Sequence, residues 1–573
     1  MKSQNRTLHK IGFASFIMML SVFSSRVIGL VREMTIAFVG GARGEVDAYQ
    51  IAFIIPEILN HVVASGFLSV TFIPIFAHYL TNNNEEEGWR VFSIIFNTFG
   101  ILLLIFISVA FYYSPELVMF FAPGFKDPEL FKSAVRMTRI IMPAQFFFFA
   151  GGMFMAVQFT KEKFFIPALA PLLYNFGIIL GGLTGLIIKS GIATLWLNNF
   201  LSKLGVNNLI LNTGVDRYAS GMEGFAWGVF FGAFAGNFIL QYFGAKKIGM
   251  KIYPLVKIKH PEFIKYLLLT IPLMVGLSMS FSTEILLKYF GSFLSDGSIA
   301  ALNYALRIMF ILVGIFGQAV GVASYPFMAH LASLGKIDEL NELLNTTLKY
   351  LLLVIPISAL FIVLRHEIVF LLFQRGKFNL DATKLTSEVL PFIMAGTFAF
   401  AAQTVVVRGY YAIQNTWFPA LFGTIAVFAS LPLFFILTKL MGASGVGLAL
   451  SLSAFMNSGF LFALWNKRSS NRGAYSVYLF MIKVTIISCG IGLILWKVTL
   501  LLQTILQNLN IGNISINNST ILGAFIVSAI ISLLFVALFV LSGIFFKIEE
   551  ITIFTNKVRS KISVVFKKIL KTN

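Results

Sequence analysis

Apolar residues run in long blocks along this chain, and polar residues are confined to short breaks between them. A helix that crosses a bilayer needs about 20 mostly apolar residues. About 14 blocks meet that measure. They lie near 11–38, 48–80, 91–113, 134–158, 166–188, 221–245, 264–290, 298–333, 348–373, 386–413, 418–440, 443–465, 478–506 and 520–546. Backbone polar groups in hydrocarbon must be satisfied within the protein, which calls for helices. The expected fold class is therefore an all-α polytopic membrane protein. The first block has no small-residue cleavage signal after it, so a retained span is expected there, not a removed signal peptide.

Composition agrees with the pattern. Of 573 residues, 58% are hydrophobic and only 12% charged, where a soluble chain carries about 25% charged residues. That balance excludes a cytosolic enzyme, a nucleic-acid-binding protein and a disordered regulator. The net charge of +20 does not favour nucleic acid, because most Lys and Arg sit in short loops. Loops on the side of the two termini carry about 22 Lys/Arg, against about 10 on the other side. Both termini are therefore expected in the cytoplasm. The tail, 548–573, alternates basic and apolar positions. It reads equally as a helix lying on anionic membrane lipids and as a solvated basic tail. The single Cys489 allows no disulfide framework.

Two halves of the chain resemble each other. Pro74, Ala77 and His78 recur as Pro326, Ala329 and His330, and Pro167, Ala168 and Leu169 recur as Pro419, Ala420 and Leu421, both at an offset of 252. Gly224 and Ala233–Phe234 recur as Gly445 and Ala454–Phe455 at an offset of 221. The shorter offset fits an insertion in the first half, the loop Lys189 to Tyr218. Six spans separate the paired motifs, so the halves share one orientation, as in a parallel repeat. This predicts two pseudo-symmetric six-helix lobes, 1–247 (helices 1–6) and 262–468 (helices 7–12), followed by helices 13–14 at 476–547. Transporters on this plan rock one lobe against the other around a central site.

Charges within the spans are expensive and mark candidate sites. Arg26 and Arg32 lie six residues apart in the first span, about 9 Å along a helix axis. Gly29 between them leaves room for a ligand or another backbone, and Glu33 lies close to the Arg26 stripe. A structural Arg–Glu pair is the competing reading. Arg307 has no acid within four positions, so it is expected to face a wet cavity or to bond helix-end carbonyls. Guanidinium groups suit phosphate because their planar fork gives bidentate, charge-assisted bonds. Glu284 and Lys288 stand one turn apart as a simple ion pair, or Glu284 binds a coupling Na⁺ or H⁺. Asp47 reads as a helix N-cap. No nucleotide loop, zinc motif or nucleophile triad occurs, so no enzyme, no cofactor and no metal site are expected.

The segments "SSRVIGLVRE", "DAYQIAFIIPEILNHVVASGFLSVTFIPIFAHYL", "APGF", "FFIPALAPLLYN", "KKIGM", "LFQRGKF" and "RGYYAIQNTWFP" resemble the MurJ (MviN) family of lipid II flippases, within the multidrug/oligosaccharidyl-lipid/polysaccharide exporter superfamily. The resemblance covers about Ser15 to Arg468. It implies a fourteen-helix protein of the bacterial inner membrane that moves undecaprenyl-pyrophosphate-linked peptidoglycan precursor from the cytoplasmic to the periplasmic leaflet. It also implies a lipid-tail groove at helices 13–14, a functional monomer, and the cell-wall synthesis machinery as a candidate partner. Ser25, Arg26 and Arg32 match family positions in the first helix, Arg307 matches the cavity arginine of the eighth, and Asp47 matches a family aspartate. Asn60 and His61 stand where members have Arg-Arg, so one expected pyrophosphate ligand is missing; a protonated His61 is a substitute. Asn415 stands at an often acidic position linked to a cation site. The rivals are a flippase for another polyprenyl-pyrophosphate glycan of the O-antigen type and a multidrug cation exporter, against which the cationic centre argues.

Overall fold

A computed structural model describes residues 2–63, 71–189, 221–507, 510–511, 514–515 and 520–546. The side chains of 2–16, 19, 61–63, 189, 271–282, 506–507, 510–511 and 514–515 are outside the description. So are two predicted features, the loop 190–218 and the basic tail 548–573. The described chain is almost wholly helical. Its one strand pair among the described residues is a two-stranded antiparallel turn, Asn510–Ile511 against Ile514–Ser515, between the last two helices.

Among the described residues, nine helices are long and apolar enough to cross a bilayer. A tenth follows if Leu380–Met394 and Thr397–Ala412, bent by 43° at their junction, make one broken span. Trp417–Ser469 counts once in that tally yet contains two predicted spans. Its 53 residues would extend about 80 Å if straight, far beyond a hydrocarbon core of about 30 Å. The chain reverses at Gly442 (φ 57°, ψ −131°), a backbone conformation that a Cβ opposes. Ser453 and Ser430 hydroxyls then meet at 2.9 Å across the hairpin.

The backbone carries the duplication more plainly than the sequence does. Helices begin at Glu85, Pro128 and Phe165 in the first half and at Ile337, Leu380 and Trp417 in the second. Each pair has the same 252 offset. Left-handed residues end helices at Asn83, Glu162 and Gly249, and again at Gly335, Gln414 and Ser470. The capping bonds recur with them. Asn84 N–H donates to Tyr79 O (2.9 Å) as Lys336 does to Leu331 (3.0 Å). Lys163 donates to Gln158 (2.8 Å) as Asn415 does to Tyr410 (3.0 Å), and Met250 to Ala245 (3.1 Å) as Asn471 to Asn466 (3.0 Å). All six are the long bond of a Schellman cap, in which the amide beyond the left-handed residue satisfies an orphan carbonyl.

The chain forms two compact units, residues 1–301 with 374–382, and residues 302–373 with 383–573. The Pro261–Gly291 helix, which the repeat assigns to the second lobe, packs within the first unit. Its Tyr266 meets Phe99 edge-on at 5.8 Å, and Thr270 contacts Thr71 at 3.5 Å. The tightest packing in the first unit joins Phe165–Lys189 to Met222–Gly232. Gly177, Gly181 and Gly185 on one helix face Gly224, Gly228 and Gly232 on the other. A Cβ on Gly181 would lie 2.4 Å from Gly224 O, and one on Gly228 would lie 2.6 Å from Gly177 O. Small residues four apart let membrane helices meet backbone to backbone. In the second unit, the last two helices pack Ile491, Leu495, Val527, Ile531 and Phe535 onto Val363 and Leu364. Their outer faces expose Phe525, Leu533 and Leu541, as lipid-facing helices do.

Complete π-helical turns lie within spanning helices at Ala233–Ile239 and Val313–Gln318. A π turn leaves carbonyls without their usual partner, and side chains fill the gap. Gln241 Nε2 donates to Gly236 O at 3.2 Å, while Gln158 donates to Gln241 Oε1 at 3.1 Å.

Candidate functional site

The Lys2–Gly40 helix is the long scaffold of the candidate site. It packs against Phe165–Lys189, and a polar cluster interrupts that apolar contact. Arg32 Nη1 donates to Asn175 Oδ1 at 3.0 Å, and its Nη2 donates to Glu33 Oε1 at 2.6 Å. Asn175 in turn donates to Pro171 O at 2.9 Å and to Ser25 Oγ at 3.4 Å. Gly29 faces the same asparagine, and a Cβ there would still clear its Oδ1 by 4.0 Å. Ser25, Gly29 and Arg32 therefore converge on Asn175, and Glu33 joins through Arg32. Asn175 was not singled out from the sequence; its signal was a lone amide inside the apolar run 166–188.

The Arg–Glu pair expected as a competing reading is thus present, but between Arg32 and the adjacent Glu33. Arg32 keeps 22% of its side chain exposed and Glu33 6%. Two of the five guanidinium N–H groups serve these bonds. Arg26, two turns earlier on the same helix, is exposed.

Asp47 caps a helix other than its own. Its carboxylate accepts from Gly297 N–H at 2.6 Å and Ala300 N–H at 2.7 Å. It thereby opens the helix Ser298–Leu312, which carries Arg307. Gly297 lies at φ +86°, and a Cβ there would strike Ala42 O at 2.2 Å. Asp47 is buried, and its two carboxyl oxygens satisfy orphan N–H groups at that helix start.

Arg307 is half-buried in the second unit. Asn415, the cation-site candidate, is also there. Its Oδ1 accepts from Phe418 N–H at 3.1 Å and its own N–H closes the Schellman cap. Asn415 therefore acts as a helix start signal in this structure. Asn60 is half-exposed on Ile54–Val63, and the His61 side chain lies outside the described residues.

The expected Glu284–Lys288 pair is the longer of two contacts. Lys288 Nζ lies 2.9 Å from Glu57 Oε2 and 3.9 Å from Glu284 Oε2. Glu57 comes from Ile54–Val63, far away in sequence, so spacing gave no hint of it. Among the described residues, no group of three His, Cys, Asp or Glu side chains is arranged to hold a metal ion.

Comparison with known proteins supplies the family. Residues 36–511 match the family model described as "Lipid II flippase MurJ". A probable lipid II flippase MurJ of Buchnera aphidicola subsp. Baizongia pistaciae is 27% identical over 458 residues, 78% of this chain and 81% of that protein. One from Haemophilus influenzae is 26% identical over 487 residues, 82% of this chain and 89% of that protein. The solved lipid II flippase MurJ in an inward closed conformation superposes with a TM-score of 0.67 at 24% identity, covering 93% of this chain and 99% of that one. An inward-facing multidrug resistance MATE transporter of the MOP superfamily shares the fold at a TM-score of 0.59 and 14% identity, covering 78% and 94%.

Proposed function

The chain belongs to the MurJ family of lipid II flippases, and from that membership we propose that it carries lipid II across the bacterial inner membrane, from the cytoplasmic to the periplasmic leaflet. The match over residues 36–511 carries this reading. It is a transport function with no bond made or broken, in accord with a chain that holds no nucleotide loop or nucleophile triad.

Arg26 and Arg32 in the first unit and Arg307 in the second are the groups proposed to bind the pyrophosphate. The Arg32 cluster supports this, because Asn175 and Glu33 fix the guanidinium plane. A phosphate replacing Glu33 would exchange one charge-assisted bond for another. Ser25 sits beside this plane through Asn175, and Asn60 and His61 are secondary candidates. Both termini are assigned to the cytoplasm on the Lys/Arg bias of the loops. A cell interior held negative helps expel an anionic headgroup, by about 2.3 kcal/mol per charge per 100 mV. Anionic lipids around the basic loops, a monomeric working unit and contact with the cell-wall synthesis machinery complete the proposal. Coupling to H⁺ or Na⁺ is proposed at Glu284.

The test is depletion of the native flippase in a bacterium that expresses this chain, with leaflet-specific labelling of lipid II. Growth and outward movement of lipid II are the expected result. Accumulation of lipid II in the inner leaflet despite normal membrane insertion overturns the assignment.

A further inference from the structure

The segment 248–260 joins Leu240–Lys247 to Pro261–Gly291 and forms neither helix nor strand. It runs as a strap along the Glu85–Tyr112 helix, whose polar side chains bond its backbone. Lys161, paired with Glu85, donates to Ile248 O at 3.0 Å. Tyr253 N–H donates to Ser93 Oγ at 2.9 Å, and Asn97 Nδ2 donates to Tyr253 O at 2.7 Å and to Leu255 O at 3.1 Å. Lys257 N–H donates to Thr98 Oγ1 at 3.2 Å. Ser93 and Thr98 lie two and seven residues inside the apolar run 91–113, about 3 and 10 Å along the axis. A segment resting on a bilayer sinks about 5–10 Å into the boundary between headgroups and acyl chains, and irregular backbone at membrane depth needs partners from protein. Ser93, Asn97 and Thr98 supply them.

The side chains this strap exposes are not those of a solvated loop. Ile252 is 42% exposed, Val256 52% and Ile258 70%. Lys251, Lys257 and Lys259 are exposed among them. His260 N–H donates to Lys257 O at 3.3 Å, which puts Ile258 and Lys259 at the tip of a tight turn. Turns in water favour Gly, Pro, Asn, Asp and Ser; an isoleucine at the tip suits hydrocarbon, and a lysine beside it reaches back to the headgroups on its own methylenes. Acids at the starts of the two flanking helices have other cations. Glu85 is paired with Lys161, Glu87 lies 3.7 Å from Arg90 and Glu262 lies 3.7 Å from Lys265, while Glu86 is exposed. The strap thus offers positive charge and apolar surface together, on the side assigned to the cytoplasm. A nucleic acid or a soluble acidic partner would match the charge and leave Val256 and Ile258 bare.

We propose that the strap 250–260 binds an anionic phospholipid: Lys257 and Lys259 bond the phosphate oxygens, and Val256 and Ile258 lie against the acyl chains. A zwitterionic lipid carries its own ammonium, which the lysines repel, so the site selects for net negative charge. This deepens the contact with anionic lipids proposed above and is independent of the cargo, because no lipid II is needed to fill the site.

Photo-crosslinking of the full chain in nanodiscs tests it. Phosphatidylglycerol and phosphatidylcholine, each with the same diazirine near the head of one acyl chain, are compared at equal density, and adducts are located by peptide mass spectrometry. Adducts on 250–260 should favour phosphatidylglycerol by about 30-fold, the worth of two lysines near an anionic surface. Lys257→Gln combined with Lys259→Gln should erase that preference while phosphatidylcholine adducts persist. Lys467→Gln combined with Arg472→Gln, in another basic loop, should leave it unchanged. Equal labelling by both lipids in the unaltered protein overturns the proposal, as does the absence of strap adducts. Retention of the preference without Lys257 and Lys259, or its loss in the other pair, also overturns it. Displacement of the phosphatidylglycerol adducts by inorganic phosphate overturns it in favour of a free-anion site. Absent lipid II movement alongside selective strap labelling rejects the proposed transport and leaves the lipid site standing.

Discussion

Single residues decide the chemistry of the first unit, and two of the deciding ones were invisible to sequence spacing. Arg26, Arg32 and Glu33 were legible because charge in a span demands a reason. Asn175 and Glu57 were not, because they reach their partners from distant helices. Truncating Asn175 should release Arg32. The Asn175→Ala protein is expected to insert normally and lose about 10–100-fold in lipid II movement, the worth of one or two hydrogen bonds to a charge. Arg32→Ala should abolish complementation in a depletion strain. Arg32→Lys should restore little, because a point charge lacks the planar fork; full complementation by the lysine variant would remove the bidentate reading. Asp47→Ala should lower the stability of the detergent-solubilised protein by about 1–3 kcal/mol, seen as a lower thermal midpoint.

Helices were the most legible level, since hydropathy measures what bilayers select. Every predicted block has a helical counterpart within the described residues, but the blocks conceal how helices bend. The predicted span 48–80 is interrupted by a turn at Phe53, after Ala52. The blocks 418–440 and 443–465 fold as one hairpin whose reversal rests on Gly442. Gly442→Val should cost about 1–3 kcal/mol by forcing a β-branched residue into a left-handed conformation. Gly445 is a harsher position, because a Cβ there would sit 1.9 Å from Leu437 O. The glycine seam between Phe165–Lys189 and Met222–Gly232 escaped notice because hydropathy scores glycine as nearly neutral. Gly228→Leu should part those helices and sharply reduce the yield of folded protein, measured by fluorescence-detected size exclusion.

For the whole molecule, the repeat was readable from two proline motifs at one offset, and the recurring Schellman caps give that offset a backbone meaning. What a linear reading could not provide is the allotment of Pro261–Gly291 to the first unit, because the helix joins it through scattered contacts. At this scale the prediction concerns voltage. Collapsing the membrane potential should slow outward movement of the anionic headgroup, and restoring it should recover the rate. An unchanged rate in reconstituted vesicles would show that charge movement is compensated within the protein.

The glycine seam has a genetic consequence. Every single-base change that replaces glycine with another amino acid adds at least one carbon. A helix pair that already touches main chain to main chain cannot absorb it. Nor can a second-site change opposite compensate, since nothing remains there to shrink. Suppressors of lesions in this seam should therefore arise elsewhere in the chain, or not at all.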